Sequence, residues 1–90
     1  MTTVTRTTTL GRPLTERQRE VVGLIAAGFS NDEISERLGI STRTAKAHAD
    51  AIRERLGVTR RRHIPAAFRL VTGEDPLPRG VLPPVRRRGA

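Results

Sequence analysis

The chain has 90 residues, a length that allows one domain, and it has no cysteine, which excludes disulfide bonds and thiolate metal sites. Its two aromatic residues are both phenylalanine, which argues against single-strand binding by base stacking. The net charge of +8 leaves two interpretations of the surface open, a polyanion partner such as nucleic acid or a merely solvated basic face.

The two ends of the chain differ in composition from its middle. Residues 1–13 are threonine-rich and aperiodic, which predicts a disordered N-terminal arm. Residues 73–90 are rich in proline and arginine, which predicts a flexible, partly extended tail. The folded part is therefore expected at residues 14–72. No apolar run reaches the roughly 18 residues of a membrane helix, and no apolar signal segment opens the chain, so a cytoplasmic protein is expected.

The first predicted helix begins after Thr15. Gln18 lies three residues later, and this spacing is typical of a capping box. Apolar side chains then recur on one face, at Val21, Val22, Leu24 and Ile25. Gly28 is the predicted stop signal, at the position after the helix end where glycine is favoured.

The second predicted helix is short and acidic. Ser30 is its predicted N-cap, with Glu33 reaching back to the cap amide. Ile34 and Leu38 lie four residues apart and predict a narrow apolar stripe. Gly39 ends the helix after about two turns.

The third predicted helix is capped by Ser41, spans residues 42–56 and stops at Gly57. Helical periodicity places one set of residues toward the core: Ala45, Ala49, Ile52 and Leu56, with His48 at the edge of the set. It places a second set on the opposite side: Arg43, Lys46, Ala47, Asp50 and Glu54. This opposite side is free to meet a ligand.

The fourth predicted helix contains a proline. Thr59 is a candidate cap, but Pro65 would break a helix that began there, because proline lacks an amide and clashes with the preceding turn. The sequence therefore predicts a turn over residues 59–63, followed by a helix with Pro65 at or near its first position. The apolar face of that helix consists of Ile64, Ala67, Phe68 and Val71.

The charge of the middle segments changes sign at the glycine turn. Residues 30–39 carry three acids and one arginine, a net charge of −2, whereas residues 40–62 carry seven basic and two acidic residues, a net charge of +5. An acidic helix, a glycine turn and a longer basic helix are typical of a helix-turn-helix. The alternative is a small helical bundle whose basic face is only solvated.

Five motifs together resemble the LuxR-type helix-turn-helix of bacterial transcription regulators. They are LTERQREV at 14–21, SNDEI at 30–34, TAKAH at 44–48, LGV at 56–58 and the arginine at position 61. The resemblance implies an all-α, four-helix bundle that binds double-stranded DNA. Regulators of this family usually carry a receiver or ligand-sensing domain, and because none precedes the motif here, a stand-alone transcription regulator is expected. It also implies that helix 42–56 enters the major groove and that the last helix supports a homodimer. Pro65 departs from the family pattern within that last helix.

The resemblance also assigns candidate DNA-binding residues. It implies that Lys46 and Ala47 face the groove, that Arg43 and Thr44 lie near phosphates, and that Ser30 and Asn31 lie over the DNA backbone. Arg61 is expected either to touch a phosphate or to brace the fold. The arginine runs at 60–62 and 86–88 are expected to be solvated in the free protein, and either could add phosphate contacts.

Asp50 is the residue of the reading helix that fits least well with a polyanion. Three interpretations are open. It could pair with Lys46 or Arg53 and orient a basic side chain, it could accept a hydrogen bond from a cytosine amino group, or it could mark a surface that does not read bases in the usual way.

No constellation of residues supports catalysis, a metal or a cofactor. Ser41, His48 and Asp50 have the residue types of a catalytic triad, but they lie on different faces of one helix. His48 and His63 lack partner ligands for a metal. His48 is expected to be a partly buried packing residue rather than a base reader or a pH sensor, and the two phenylalanines are expected in the core.

Two other functions share parts of this pattern. A sigma-factor region-four-like module would use the same helix-turn-helix and would contact RNA polymerase. A protein-interaction adaptor would use the basic face or the Pro/Arg tail to bind an acidic protein surface without reading DNA.

Overall fold

The computed structural model describes residues 14–78 and 80–81. This part of the chain forms four α-helices: α1 (Glu16–Ala26), α2 (Asn31–Leu38), α3 (Thr42–Leu56) and α4 (Ile64–Thr72), with a 3-10 turn at Arg61–His63 before α4. The predicted all-α fold with four helices is confirmed. Residues 1–13, 79 and 82–90, which include the predicted N-terminal arm and about half of the predicted tail, lie outside the described residues.

The capping residues predicted for the first two helices are confirmed. Thr15 Oγ1 accepts a hydrogen bond from the Gln18 amide at 3.1 Å, and the Thr15 amide donates to Gln18 Oε1 at 2.9 Å. Ser30 and Glu33 form the same reciprocal pair at 3.2 and 2.7 Å. Both helix starts are thus fixed by local sequence, because each box satisfies amides that the helix itself leaves unpaired.

The candidate cap Thr59 does not cap a helix, whereas the turn that the sequence predicts before the last helix is present. The 3-10 turn follows Arg60 and α4 follows His63, and neither residue makes a side-chain cap hydrogen bond. Pro65 lies in the first turn of α4, as the sequence predicts. A proline there has no amide for a cap to accept from, so a capping side chain has less to satisfy. The Thr59 carbonyl instead accepts a hydrogen bond from Arg53 at 2.9 Å.

One hydrophobic core holds the four helices together. Its members are Leu14, Val21, Val22, Leu24, Ile25, Phe29, Ile34, Ala45, Ala49, Ile52, Leu56, Ile64 and Phe68. Ile34, Ile52 and Ile64 are completely buried. Burial of each isoleucine contributes about 1.5–3 kcal/mol, so α2, α3 and α4 each contribute an anchor to the same centre.

The segment after α4 turns back onto α1. Pro76 is buried, and Val81 packs at the edge of the core. A Cβ at Gly23 would lie 3.3 Å from the Pro76 carbonyl oxygen, so glycine permits this close approach. Arg19 of α1 also pairs with Glu74. The start of the predicted tail has no helix or strand, but it makes a contact with α1 that the sequence did not predict.

Candidate nucleic-acid interface

The turn between α2 and α3 sets the angle at which α3 leaves the fold. Gly39 has a φ of +69°, a conformation that glycine adopts without strain. Thr42 Oγ1 donates to Asp32 Oδ1 at 3.0 Å, and the Thr42 and Ser35 hydroxyls lie 3.4 Å apart. These contacts fasten the first turn of α3 to two successive turns of α2. Sequence reasoning missed them, because a threonine at a helix start gives no sign of its partner on another helix.

The division of α3 into two sides is as predicted. Ala45, Ala49, Ile52 and Leu56 are buried, and His48 is partly buried. Arg43, Thr44, Lys46, Ala47 and Glu54 are exposed, and Asp50 is partly exposed. The amino-terminal half of α3 therefore presents a continuous polar and cationic face away from the core, which is the face that a major groove can receive.

Asp50 pairs with cations on both sides of it along the helix. Lys46 Nζ donates to Asp50 Oδ2 at 3.2 Å, and Arg53 donates to Asp50 Oδ1. The hydrogen bond from Lys46, followed by that from Arg53, lowers the pKa of the Asp50 carboxyl from its ordinary value. The structure thus shows the pairing named in the first of the three interpretations.

Arg53 extends this row of contacts beyond the helix. The same guanidinium that pairs with Asp50 donates to the Thr59 carbonyl at 2.9 Å. Asp50 of α3 therefore orients an arginine that holds the following loop in place. The spacing of Asp50 and Arg53 on one helix made their pairing one of the three interpretations, whereas the contact with Thr59 depends on the path of the chain after Gly57.

Arg61 braces the fold. Its guanidinium donates to Asn31 Oδ1 at 2.8 Å and to the Phe29 carbonyl at 2.9 Å. Partial burial, and then the positive charge of Arg53, lower the pKa of Arg61 from its ordinary value. An arginine remains charged despite such a shift. Of the two roles that the sequence left open for Arg61, the structure shows the bracing role, and the brace ends at the amino end of α2.

The amino end of α2 is largely occupied by its own side chains. The Ser30 amide donates to Glu33, and the Ser30 hydroxyl oxygen accepts from the Glu33 amide. A phosphate therefore cannot use the Ser30 amide without displacing Glu33. The contact with Arg61 uses the amide oxygen of Asn31 and leaves its NH2 group as a donor.

The eight predicted site residues form two groups. Ser30, Asn31 and Arg61 meet at the amino end of α2, and Arg43, Thr44, Lys46, Ala47 and Asp50 lie on α3. Thr44 is held locally, since its amide donates to Ser41 Oγ at 3.0 Å and its hydroxyl accepts from Ser41 at 2.9 Å. Arg43 makes no ion pair within the described residues and extends into solvent.

The helices of the described part of the chain are all too short or too polar to span a membrane.

Comparisons with known proteins place this geometry among bacterial regulators. The model of the luxR family of bacterial regulatory proteins matches residues 12–66. The chain is 51% identical over 47 residues to the transcriptional regulatory protein MctR of Rhizobium johnstonii, covering 52% of the chain and 22% of that protein. It is 43% identical over 49 residues to the HTH-type transcriptional regulator MalT of Yersinia pestis, covering 54% of the chain and 5% of that protein.

The chain thus spans less than a quarter of the length of these relatives. The segment matched by the family model contains α1, α2, α3 and the interface residues described above, and it ends in the first turn of α4. A search of solved structures gave no match.

Proposed function

The chain belongs to the luxR family of bacterial regulatory proteins, and from that premise we propose that it binds duplex DNA sequence-specifically, with α3 in the major groove. The family is one of DNA-binding transcription regulators and not of enzymes. The observation that carries the proposal is the exposed cationic face of α3, held to α2 through Thr42 and Asp32. A reading helix must be rigidly oriented, because base-edge hydrogen bonds require fixed geometry.

We assign the contacts by position on this face. Lys46 and Ala47 meet base edges, and Arg43 and Thr44 lie at phosphates of the same groove. The Ser30 hydroxyl and the NH2 group of Asn31 donate to the DNA backbone beside α2. In this proposal Arg61 acts indirectly, because it holds Asn31 in place. Phosphate contacts supply most of the affinity, and α3 supplies the sequence preference.

Asp50 serves in this proposal to orient Lys46. The Lys46 side chain is 67% exposed even while it is paired with Asp50. Exposed ion pairs contribute little to stability, so Lys46 can exchange Asp50 for a guanine edge at small cost. The carboxylate also repels phosphates, which disfavours registers that would bring the backbone against the middle of α3.

Selection of bound sequences from a random duplex pool tests this function. We expect one enriched sequence, and Lys46→Ala should weaken binding to it more than binding to random duplex. Arg17→Ala is the control, because it also removes one exposed cation, but from α1. Equal losses on both duplexes would demote Lys46 to a phosphate contact. Absence of enrichment, together with no binding at about 50 mM salt, would favour the adaptor function instead.

We further propose that the protein binds as a homodimer through α4 on an inverted repeat. Leu70 of α4 is 86% exposed and Val71 is 40% exposed. Such side chains on a terminal helix suit a symmetric helix–helix contact. Sedimentation of the free protein and of its DNA complex tests this proposal, with Leu70→Glu as the disrupting variant. A monomer in both states would refute the dimer and leave DNA binding intact. We also propose that the protein contacts RNA polymerase and lies at the nucleoid.

A further inference from the structure

A cationic cleft lies between the end of α1, the amino end of α2 and the 3-10 turn, and of the residues assigned above only Ser30 and Arg61 line it. It has a volume of about 720 Å³ and is lined by Ile25, Gly28, Phe29, Ser30, Arg60, Arg61, Arg62 and Pro65. Three consecutive arginines thus border one cleft. The outer two, Arg60 and Arg62, are exposed and make no ion pair within the described residues.

The loop that carries these arginines is anchored at two points. Arg53 of α3 holds the Thr59 carbonyl, and Arg61 holds the Phe29 carbonyl and Asn31. The anchors lie immediately before Arg60 and between Arg60 and Arg62. The backbone of the two free cations is therefore positioned before any ligand arrives, which reduces the entropy lost on binding.

The chemistry of the cleft selects the kind of ligand. Its volume lies within the roughly 300–1,000 Å³ typical of small-molecule pockets, so size does not exclude an amphipathic organic acid. However, Ile25 and Phe29, which form the apolar floor, are each only 8% exposed. An apolar ligand would gain little by covering them. The polar groups of the lining are the guanidinium groups of Arg60, Arg61 and Arg62 and the Ser30 hydroxyl, which suit a phosphodiester.

The position of the cleft selects the source of the phosphate. Through Arg61 the cleft adjoins Asn31, which we have assigned to the DNA backbone. We infer that Arg60 and Arg62 bind a phosphate of the same duplex, outside the base pairs read by α3. This inference rests on the proposed function. It adds a second contact region, in which Arg61 is a positioning residue and its two neighbours touch the DNA.

Salt dependence of duplex binding tests the inference. Arg60→Gln/Arg62→Gln removes two charges from the cleft, and the control Arg17→Gln/Arg69→Gln removes two exposed charges from α1 and α4. Each neutralised phosphate contributes about 0.9 to the slope of log affinity against log salt. The cleft variant should lose about 0.9 of this slope, the value for one phosphate, on specific and random duplex alike. At 0.15 M salt this corresponds to roughly five-fold weaker binding per phosphate lost.

Neutral backbone substitutions locate the contact. In a selected duplex, single phosphates are replaced by methylphosphonates, which carry no charge. We expect one position outside the enriched base pairs at which this replacement weakens the parent about five-fold but leaves the cleft variant unchanged. Far-UV circular dichroism of both variants establishes that they are folded.

The outcomes separate this inference from the proposed function. If the parent binds duplex and the cleft variant loses no more slope than the control, the second contact region does not exist. If the cleft variant binds duplex normally but loses binding to a poly-glutamate peptide, the cleft takes an acidic protein segment and the inference is overturned. If the parent itself shows no salt-dependent duplex binding, the proposed function fails first.

Discussion

Replacing Arg61 by alanine should destabilise the domain more than replacing either neighbouring arginine. The change removes two charge-assisted hydrogen bonds, to Asn31 Oδ1 at 2.8 Å and to the Phe29 carbonyl at 2.9 Å. A hydrogen bond to a charged group contributes about 1.5–3 kcal/mol, and partial exposure of the guanidinium reduces this value. We therefore expect a loss of about 2–3 kcal/mol in the free energy of unfolding.

A loss of this size is large for a domain this small. Stability of about 0.05–0.15 kcal/mol per residue gives roughly 3–10 kcal/mol for the folded part, and 1 kcal/mol corresponds to about 4–8 °C in Tm. Arg61→Ala should therefore lower Tm by roughly 8–24 °C. Urea unfolding followed by circular dichroism at 222 nm measures the free-energy change directly.

Two further variants control for charge and for bond geometry. Arg62→Ala removes an exposed arginine that makes no ion pair within the described residues, and it should change stability by less than about 0.5 kcal/mol. Arg61→Lys keeps the charge but cannot reach both acceptors in the same way, so it should lose an intermediate amount. If Arg61→Ala matched Arg62→Ala in stability but reduced the salt slope of DNA binding, Arg61 would be a phosphate contact and the bracing role would be refuted.

Three other perturbations test separate parts of the structure. Asp50→Asn should tighten binding to random duplex, because it removes a negative charge and releases Lys46 and Arg53 from their ion pairs. Fluorescence anisotropy measures this affinity, and an unchanged affinity would mean that the carboxylate does not face the phosphates. The pKa of Asp50 is below its ordinary value of 3.8, so its ionised contacts stabilise the fold above that pH and are lost as the pH falls further. On acidification below pH 3.8, the Tm of Asp50→Asn should therefore fall less than the Tm of the parent. Thr42→Val should lower the free energy of unfolding in urea by about 0.5–1.5 kcal/mol and weaken binding to specific duplex more than binding to random duplex. A loss of stability with no change in specific binding would mean that the α2–α3 contact plays no part in DNA reading. Deletion of residues 74–90 should lower the free energy of unfolding by about 1–2 kcal/mol while the helical signal per molecule stays nearly constant. Deletion of residues 82–90, the control, should leave the free energy of unfolding unchanged. Equal effects of the two deletions would mean that the contact of Pro76 with α1 adds no stability.

The four helices could be predicted from sequence because their signals are local. The capping pairs of Thr15 with Gln18 and of Ser30 with Glu33 lie within single turns, and each has the geometry that its spacing implies. The exception was Thr59, where a residue type favoured at caps is used for its backbone carbonyl instead. Residue type gave no indication of this, because the competing donor, Arg53, belongs to another element.

The candidate site was predictable only in part, for the same reason. Periodicity identified which side of α3 is exposed, since alternation between core and solvent is a property of one helix. The pairing of Asp50 with Lys46 and Arg53 also follows from spacing along that helix. The contact between Arg61 and Asn31 joins residues that are far apart in the chain, and no local pattern distinguishes such an arginine from its neighbours.

The sequence by itself determined the helices, their caps, the exposed face of α3 and the family, because these depend on residues that are close together in the chain. Only the tertiary structure decided what individual charges do. Of the three consecutive arginines that border the cleft, Arg61 is committed to Asn31 and to the Phe29 carbonyl, whereas Arg60 and Arg62 make no ion pair within the described residues. The physical reason is that a charged side chain takes its role from the donors and acceptors that folding brings within about 3 Å of it, and those come from other helices.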